Sequence, residues 1–169
     1  MIKKLLFIIM VITIILIPLV CCIKVVAPNT DRITQGIQEV ENAVLKEPMS
    51  YYEITTYLYI LNYNDKEIDF IMKEIKVDYK QQCSREAVKI VENMPISRVA
   101  LIATLEEMGY SAENATYAAD NNNFNWNEQC YYEMQYLLLK GLLKNEAAEQ
   151  LLIKGYLNSE IDYAIQKIN

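Results

Sequence analysis

An apolar run from Leu5 to Ile23 opens the chain, preceded by Lys3 and Lys4. Beyond it, apolar residues recur at three- and four-residue steps, the period of a helix with one buried face. The clearest case lies mid-chain, where Leu101, Ile102, Leu105 and Met108 fall on one face. Ser97 precedes them, and a hydroxyl there accepts one of the amide hydrogens that a starting helix leaves unpaired. Gly109 stands where a helix commonly ends in a left-handed residue, with Tyr110 as its apolar cover. Ser111 then reopens a helix, with Glu113 in its first turn and Ala115, Ala118 and Ala119 as a small-residue face. The pattern predicts two short helices joined by a tight turn.

The pattern also repeats. Pro48 and Pro95, Ser50 and Ser97, Leu58 and Leu105, Tyr63 and Tyr110, Gln82 and Gln129, and Cys83 and Cys130 each stand 47 positions apart. A third copy runs one residue shorter: Leu105, Gly109, Tyr110, Tyr117 and Ala118 recur 46 positions on as Leu151, Gly155, Tyr156, Tyr163 and Ala164. Periods of this length mark tandem helical arrays, in which each copy buries its apolar face against its neighbours. Each copy is read as three helices. The longest starts at Asp78 or Asn125, with Gln81 or Glu128 at the spacing of a capping box, and at Asp31 in the first copy, with Thr34 in the acceptor's place. It stops at Pro48, Pro95 or Gly141. The expected fold is all-α: an N-terminal signal segment (1–22), a linker (23–30) containing Pro28, and three helix-turn-helix repeats over 31–77, 78–124 and 125–169.

The opening run has the charged and apolar regions of an export signal and is also long enough to cross a bilayer. Lys3 and Lys4 orient its start to the cytoplasm, so the remainder faces outward. Leu19-Val20-Cys21-Cys22 is similar to a bacterial lipobox, with Cys22 as the lipidated residue and Cys21 as the alternative. The other reading is an uncleaved signal anchor. Both tether an exported protein to the membrane.

Four glycines and four prolines in 169 residues fit helices with brief connections. Setting aside Lys3 and Lys4 leaves 14 of the 16 basic residues against 22 acidic ones, a formal charge of −8 on the exported part. The helices that would enter a DNA groove, Ala112–Asp120 and Ser159–Gln166, hold no lysine or arginine for phosphate. Nucleic-acid affinity depends largely on such contacts, so nucleic acid is not an expected partner. The chain has no histidine, the commonest general base and zinc ligand. No catalytic residues, metal, cofactor or small-molecule substrate are expected. Cys83 and Cys130 read as small buried side chains, with a disulfide between them left open. Tyr110, Tyr117 and their counterparts read as core residues with the hydroxyl at the edge.

The middle motif, Ser97-Arg98, Leu101, Leu105 and Gly109-Tyr110-Ser111-x-Glu113-x-Ala115-x-Tyr117, resembles the repeat of Ltp-like host-cell-surface-exposed lipoproteins. The similarity covers about 31–169, and the flanking copies depart from it: Asn62 replaces the turn glycine in the first, Leu143-Lys144 replaces Ser-Arg in the third. It implies a prophage-type lipoprotein on the surface of a Gram-positive cell. Such a protein confers superinfection exclusion by engaging a phage protein of the tape-measure kind and blocking DNA injection. A general adhesion or envelope-structural spacer is the alternative. Glu106, Glu113 and Asp120, with Glu160 and Asp162, are expected on exposed helix surfaces, forming part of an acidic face for a basic segment of the partner.

Overall fold

The computed structural model describes residues 29–168, so the apolar opening run and the Cys21-Cys22 anchor lie outside the described residues. Those residues form an all-α structure. Its nine helices are α1 (Thr30–Lys46), α2 (Tyr51–Ile60), α3 (Asp65–Glu74), α4 (Tyr79–Asn93), α5 (Arg98–Glu107), α6 (Ala112–Asn121), α7 (Trp126–Leu139), α8 (Lys144–Ile153) and α9 (Asn158–Ile168).

Local chemistry sets the boundaries. Ser97 Oγ accepts from Ala100 N at 3.1 Å and Ser111 Oγ from Asn114 N at 3.2 Å, so both serines cap their helices. Gly109 and Gly155 close the following turns at φ +91° and +84°, and Asn62 does the same at φ 62°. The longest helices start at Asp78 and Asn125, whose side chains accept from Gln81 N and Glu128 N at 3.0 and 3.2 Å. Neither capping box has its return half; at the second, the Glu128 carboxylate is taken by Lys167 and Tyr163. The first helix starts earlier than Asp31: Asn29 caps it, accepting from Asp31 N at 3.1 Å. Asn29 wins because an amide oxygen just outside the helix reaches a first-turn N–H, while Asp31 sits inside and favours the positive end of the dipole. Complete capping boxes form at Ser50 with Glu53 and at Asn64 with Glu67.

The helices gather into three consecutive units, α1–α3, α4–α6 and α7–α9, each around its own core. Leu58, Leu105 and Leu151 are fully buried at the centres of the three. Ile102 and Met108 pack only at the edge of the second core. Tyr63, Tyr110 and Tyr156 are core residues, yet the hydroxyls do not all reach an edge: Tyr110 Oη is buried without a hydrogen-bond partner. Tyr117 stands outside the core, 39% exposed, with the Lys80 ammonium 3.5 Å over its ring. Cys83 and Cys130 are buried free thiols.

Neighbouring units meet at one recurring contact. Ser50 Oγ donates to Met108 O at 2.6 Å, and Ser97 Oγ donates to Lys154 O, also at 2.6 Å. The backbone comes so close that a Cβ on Gly109 would lie 2.8 Å from Tyr52 Cβ, and one on Gly155 3.2 Å from Ser97 Oγ. Glycine is therefore required at both turns for its conformation and for its lack of a side chain. Around this contact the two junctions differ. Between the first and second units, Arg85 donates to Val44 O and Leu45 O at 2.6 and 3.2 Å, at the carboxyl end of α1, and Lys89 pairs with Glu47 at 2.8 Å. Between the second and third, Tyr132 and Tyr136 stand at the positions of Arg85 and Lys89, and the groove there is lined by Met94, Pro95, Tyr136 and Glu133.

Candidate interaction surface

The carboxylates expected to form one acidic face have four different environments. Glu106 stands exposed in the last turn of α5, next to Glu107, which is also exposed. Glu113 is exposed in the first turn of α6, where the helix dipole favours a negative charge. Among the described residues, neither Glu106 nor Glu113 takes part in an ion pair. Asp120 is exposed but gripped by a fork: Arg98 Nε to Oδ1 at 2.6 Å and Arg98 Nη2 to Oδ2 at 2.9 Å. That hydrogen-bonded guanidinium holds the Asp120 carboxyl below the usual range and neutralises it towards a partner.

Glu160 is a correction. It is 7% exposed, and its Oε2 accepts from Leu157 N at 2.8 Å. It occupies the third position of the last helix, where a carboxylate folds back to satisfy the backbone before the helix, as Glu67 does for Asn64. Glu160 is therefore a helix cap and no part of an exposed face. Asp162, two residues on, is exposed. Of the carboxylates expected on one acidic face, Glu106, Glu113 and Asp162 are thus exposed and outside the ion pairs, with Glu107 exposed beside Glu106.

Sequence reasoning missed a second set of acids. Glu39, Glu86 and Glu133 stand 47 residues apart on the first helix of each unit. Glu86 and Glu133 are buried, and Glu39 is half-buried. Glu39 accepts from Tyr63 Oη at 3.1 Å, and Glu133 pairs with Lys154. Met108 holds the Lys154 position in the second unit, so Glu86 has no such cation, and burial raises its pKa. The 47-residue register was the signal that would have revealed them.

The potentially reactive groups are otherwise spent on the fold. Burial pushes the Cys83 and Cys130 thiols up to about 12, so neither supplies a thiolate near neutral pH. Among the described residues, no group of three His, Cys, Asp or Glu is placed to hold a metal ion, and no helix is long and apolar enough to cross a membrane. Comparisons with protein-family models, with curated proteins and with solved structures each returned no match.

Proposed function

We propose that the chain is a membrane-tethered binding protein whose three units are copies of one helix-turn-helix repeat. Residues 1–22 export it and hold it at the cell surface, through a lipid on Cys22 (or Cys21) or as a signal anchor. The exposed carboxylates then capture a basic segment of an incoming phage protein, of the tape-measure kind, and so block DNA injection. The observation that carries this reading is a division of labour among the acids. Asp120, Glu128, Glu133 and Glu160 are consumed by internal partners, whereas Glu106, Glu107 and Glu113 point to solvent on one unit without a cation. A patch of one sign speeds and orients the encounter with a cationic segment, an effect that weakens as salt rises. The hydrogen-bonded junctions at Ser50 and Ser97 favour a second reading, a stiff surface spacer used for adhesion.

Phage challenge separates the two. Cells displaying the wild type are expected to adsorb phage normally and exclude its DNA. Cells displaying Glu106→Gln with Glu113→Gln are expected to adsorb phage equally and admit DNA. Equal protection by the folded, displayed variant would remove these carboxylates from the binding surface. No protection by the wild type against any of a broad phage panel would move the assignment to the spacer.

A further inference from the structure

One side of α2 faces solvent without a charged residue. Tyr51, Tyr52, Thr55, Thr56, Tyr59 and Ile60 share it at helical spacing, and Tyr52, Tyr59 and Ile60 are 68%, 51% and 71% exposed. The same six positions include Arg98, Glu106 and Glu107 in α5, and Lys144 and Glu149 in α8. This side is not one that a neighbouring unit covers. The second unit has a neighbour at each end, yet Val99, Glu106 and Glu107, the counterparts of Tyr52, Tyr59 and Ile60, stay exposed there. The acids beside the α2 face are engaged: Glu53 accepts from Ser50 N at 2.7 Å, and Asp65 accepts from Tyr59 Oη at 3.0 Å. An uncharged aromatic stripe of this kind is poorly matched to water and suited to a partner surface.

We infer that this face of α2 rests on the bilayer that the N-terminal segment enters, a step that depends on the tether of the proposed function. Place and chemistry both select lipid as the occupant. Arg32, in the first turn of α1, donates to Asn62 O at 2.6 Å and lies 4.4 Å over the Tyr63 ring. The Tyr59–Ile60 end of α2 therefore packs beside the point where the tether arrives. Only residues 24–28 separate the apolar run from Asn29, and the peptide links between them span no more than about 22 Å. That end of α2 cannot stray far from the membrane surface. Tyrosine sets an apolar ring and a polar hydroxyl at the boundary between acyl chains and headgroups, and the threonines and isoleucine add no charge that lipid would strip of water. A basic protein segment would find no free carboxylate on this side. Without a cation of its own, the face gains its hold from buried aromatic and apolar area rather than from anionic headgroups.

Site-specific photocrosslinking in the full-length protein in its cell membrane tests this. Thr56→p-benzoylphenylalanine, in the middle of the α2 face, is expected to give an adduct heavier by one phospholipid. Ala103→p-benzoylphenylalanine, at the same position of α5, is expected to give none. Adding Tyr52→Glu and Ile60→Glu, at sites exposed enough to leave the core intact, should abolish the lipid adduct while the protein still fractionates with membranes. The inference alone is overturned, with the tether left standing, by an adduct from position 56 to a protein or by equal lipid labelling from position 103. A lipid adduct that survives the two glutamates, or no adduct from a membrane-bound protein, does the same. Protein that washes free of the membrane would overturn the tether and this inference together.

Discussion

The first and second units fill one packing site with opposite volumes. In the first, Gly36 lies against Ile71, so close that a Cβ on the glycine would stand 2.4 Å from Ile71 Cδ1. In the second, Cys83 and Ala118 hold the two corresponding positions, both fully buried. The missing side chain on one helix is made up by a larger one on the other, so the helices dock in both cases. The polar layer differs as well. Tyr63 donates to Glu39 in the first unit, whereas Tyr110 Oη has no partner in the second, where Glu86 is buried. The two units therefore dock their first and third helices with different side chains at the same pair of positions.

The strongest perturbation puts a charge at the centre of one unit. Leu105→Asp is expected to cost more than about 4 kcal/mol and unfold the second unit, because an ionised carboxylate there is buried without a partner. Amide exchange resolved by unit shows how far the first survives. Next in size is the volume trade. Gly36→Cys should destabilise by roughly 1–3 kcal/mol through overpacking against Ile71, and Ile71→Ala by roughly 2–5 kcal/mol through a cavity. The double variant recreates the pattern of the second unit, so it should lose less than the sum by about 1 kcal/mol or more in denaturant unfolding. Additivity would mean that the two sites do not compensate.

A smaller difference appears with pH. The folded pKa of Glu86 is raised above its ordinary value of 4.5, first by burial. The native state therefore binds this proton more tightly than the unfolded one, so the contribution is full below 4.5 and is lost as pH rises through the folded value. The second unit should become less protected from amide exchange over that window, and Glu86→Gln should flatten the trend. Met108→Lys, which supplies the cation that Glu133 finds in Lys154, should lower the Glu86 titration midpoint followed by NMR. The smallest effect belongs to Arg98 and Asp120, both partly solvated: Asp120→Asn should cost about 0.5–1 kcal/mol, less at high salt.

What the sequence made legible was local. Ser97, Gly109 and Ser111 act within a few residues of themselves, so their roles follow from position alone. Leu105 was legible for the same reason, through its helical phase. The remainder depends on what another element brings. Nothing near Asp120 announces Arg98, 22 residues earlier, and the Cys83 and Gly36 positions make sense only beside Ala118 and Ile71. Glu160 was readable in principle, since its third-position spacing matches Glu53 and Glu67, but its charge drew it into a surface reading. Asn62 and Leu143 depart from the pattern at the two positions where, among the described residues, the serine-to-turn contact seen at Ser50 and Ser97 is not made.

The serine hydroxyls at the junctions have one further effect. Ser97 Oγ receives an amide hydrogen of its own helix and gives its proton to the carbonyl of Lys154, so one atom closes α5 and latches the following turn. Ser50 does the same for α2 and Met108. Melting of the third unit would deprive the α5 cap of its outward bond, and melting of the second would deprive the α2 cap. Each unit thus lends its neighbour on the order of 1 kcal/mol through a single shared oxygen, a modest coupling between units that each keep a core of their own.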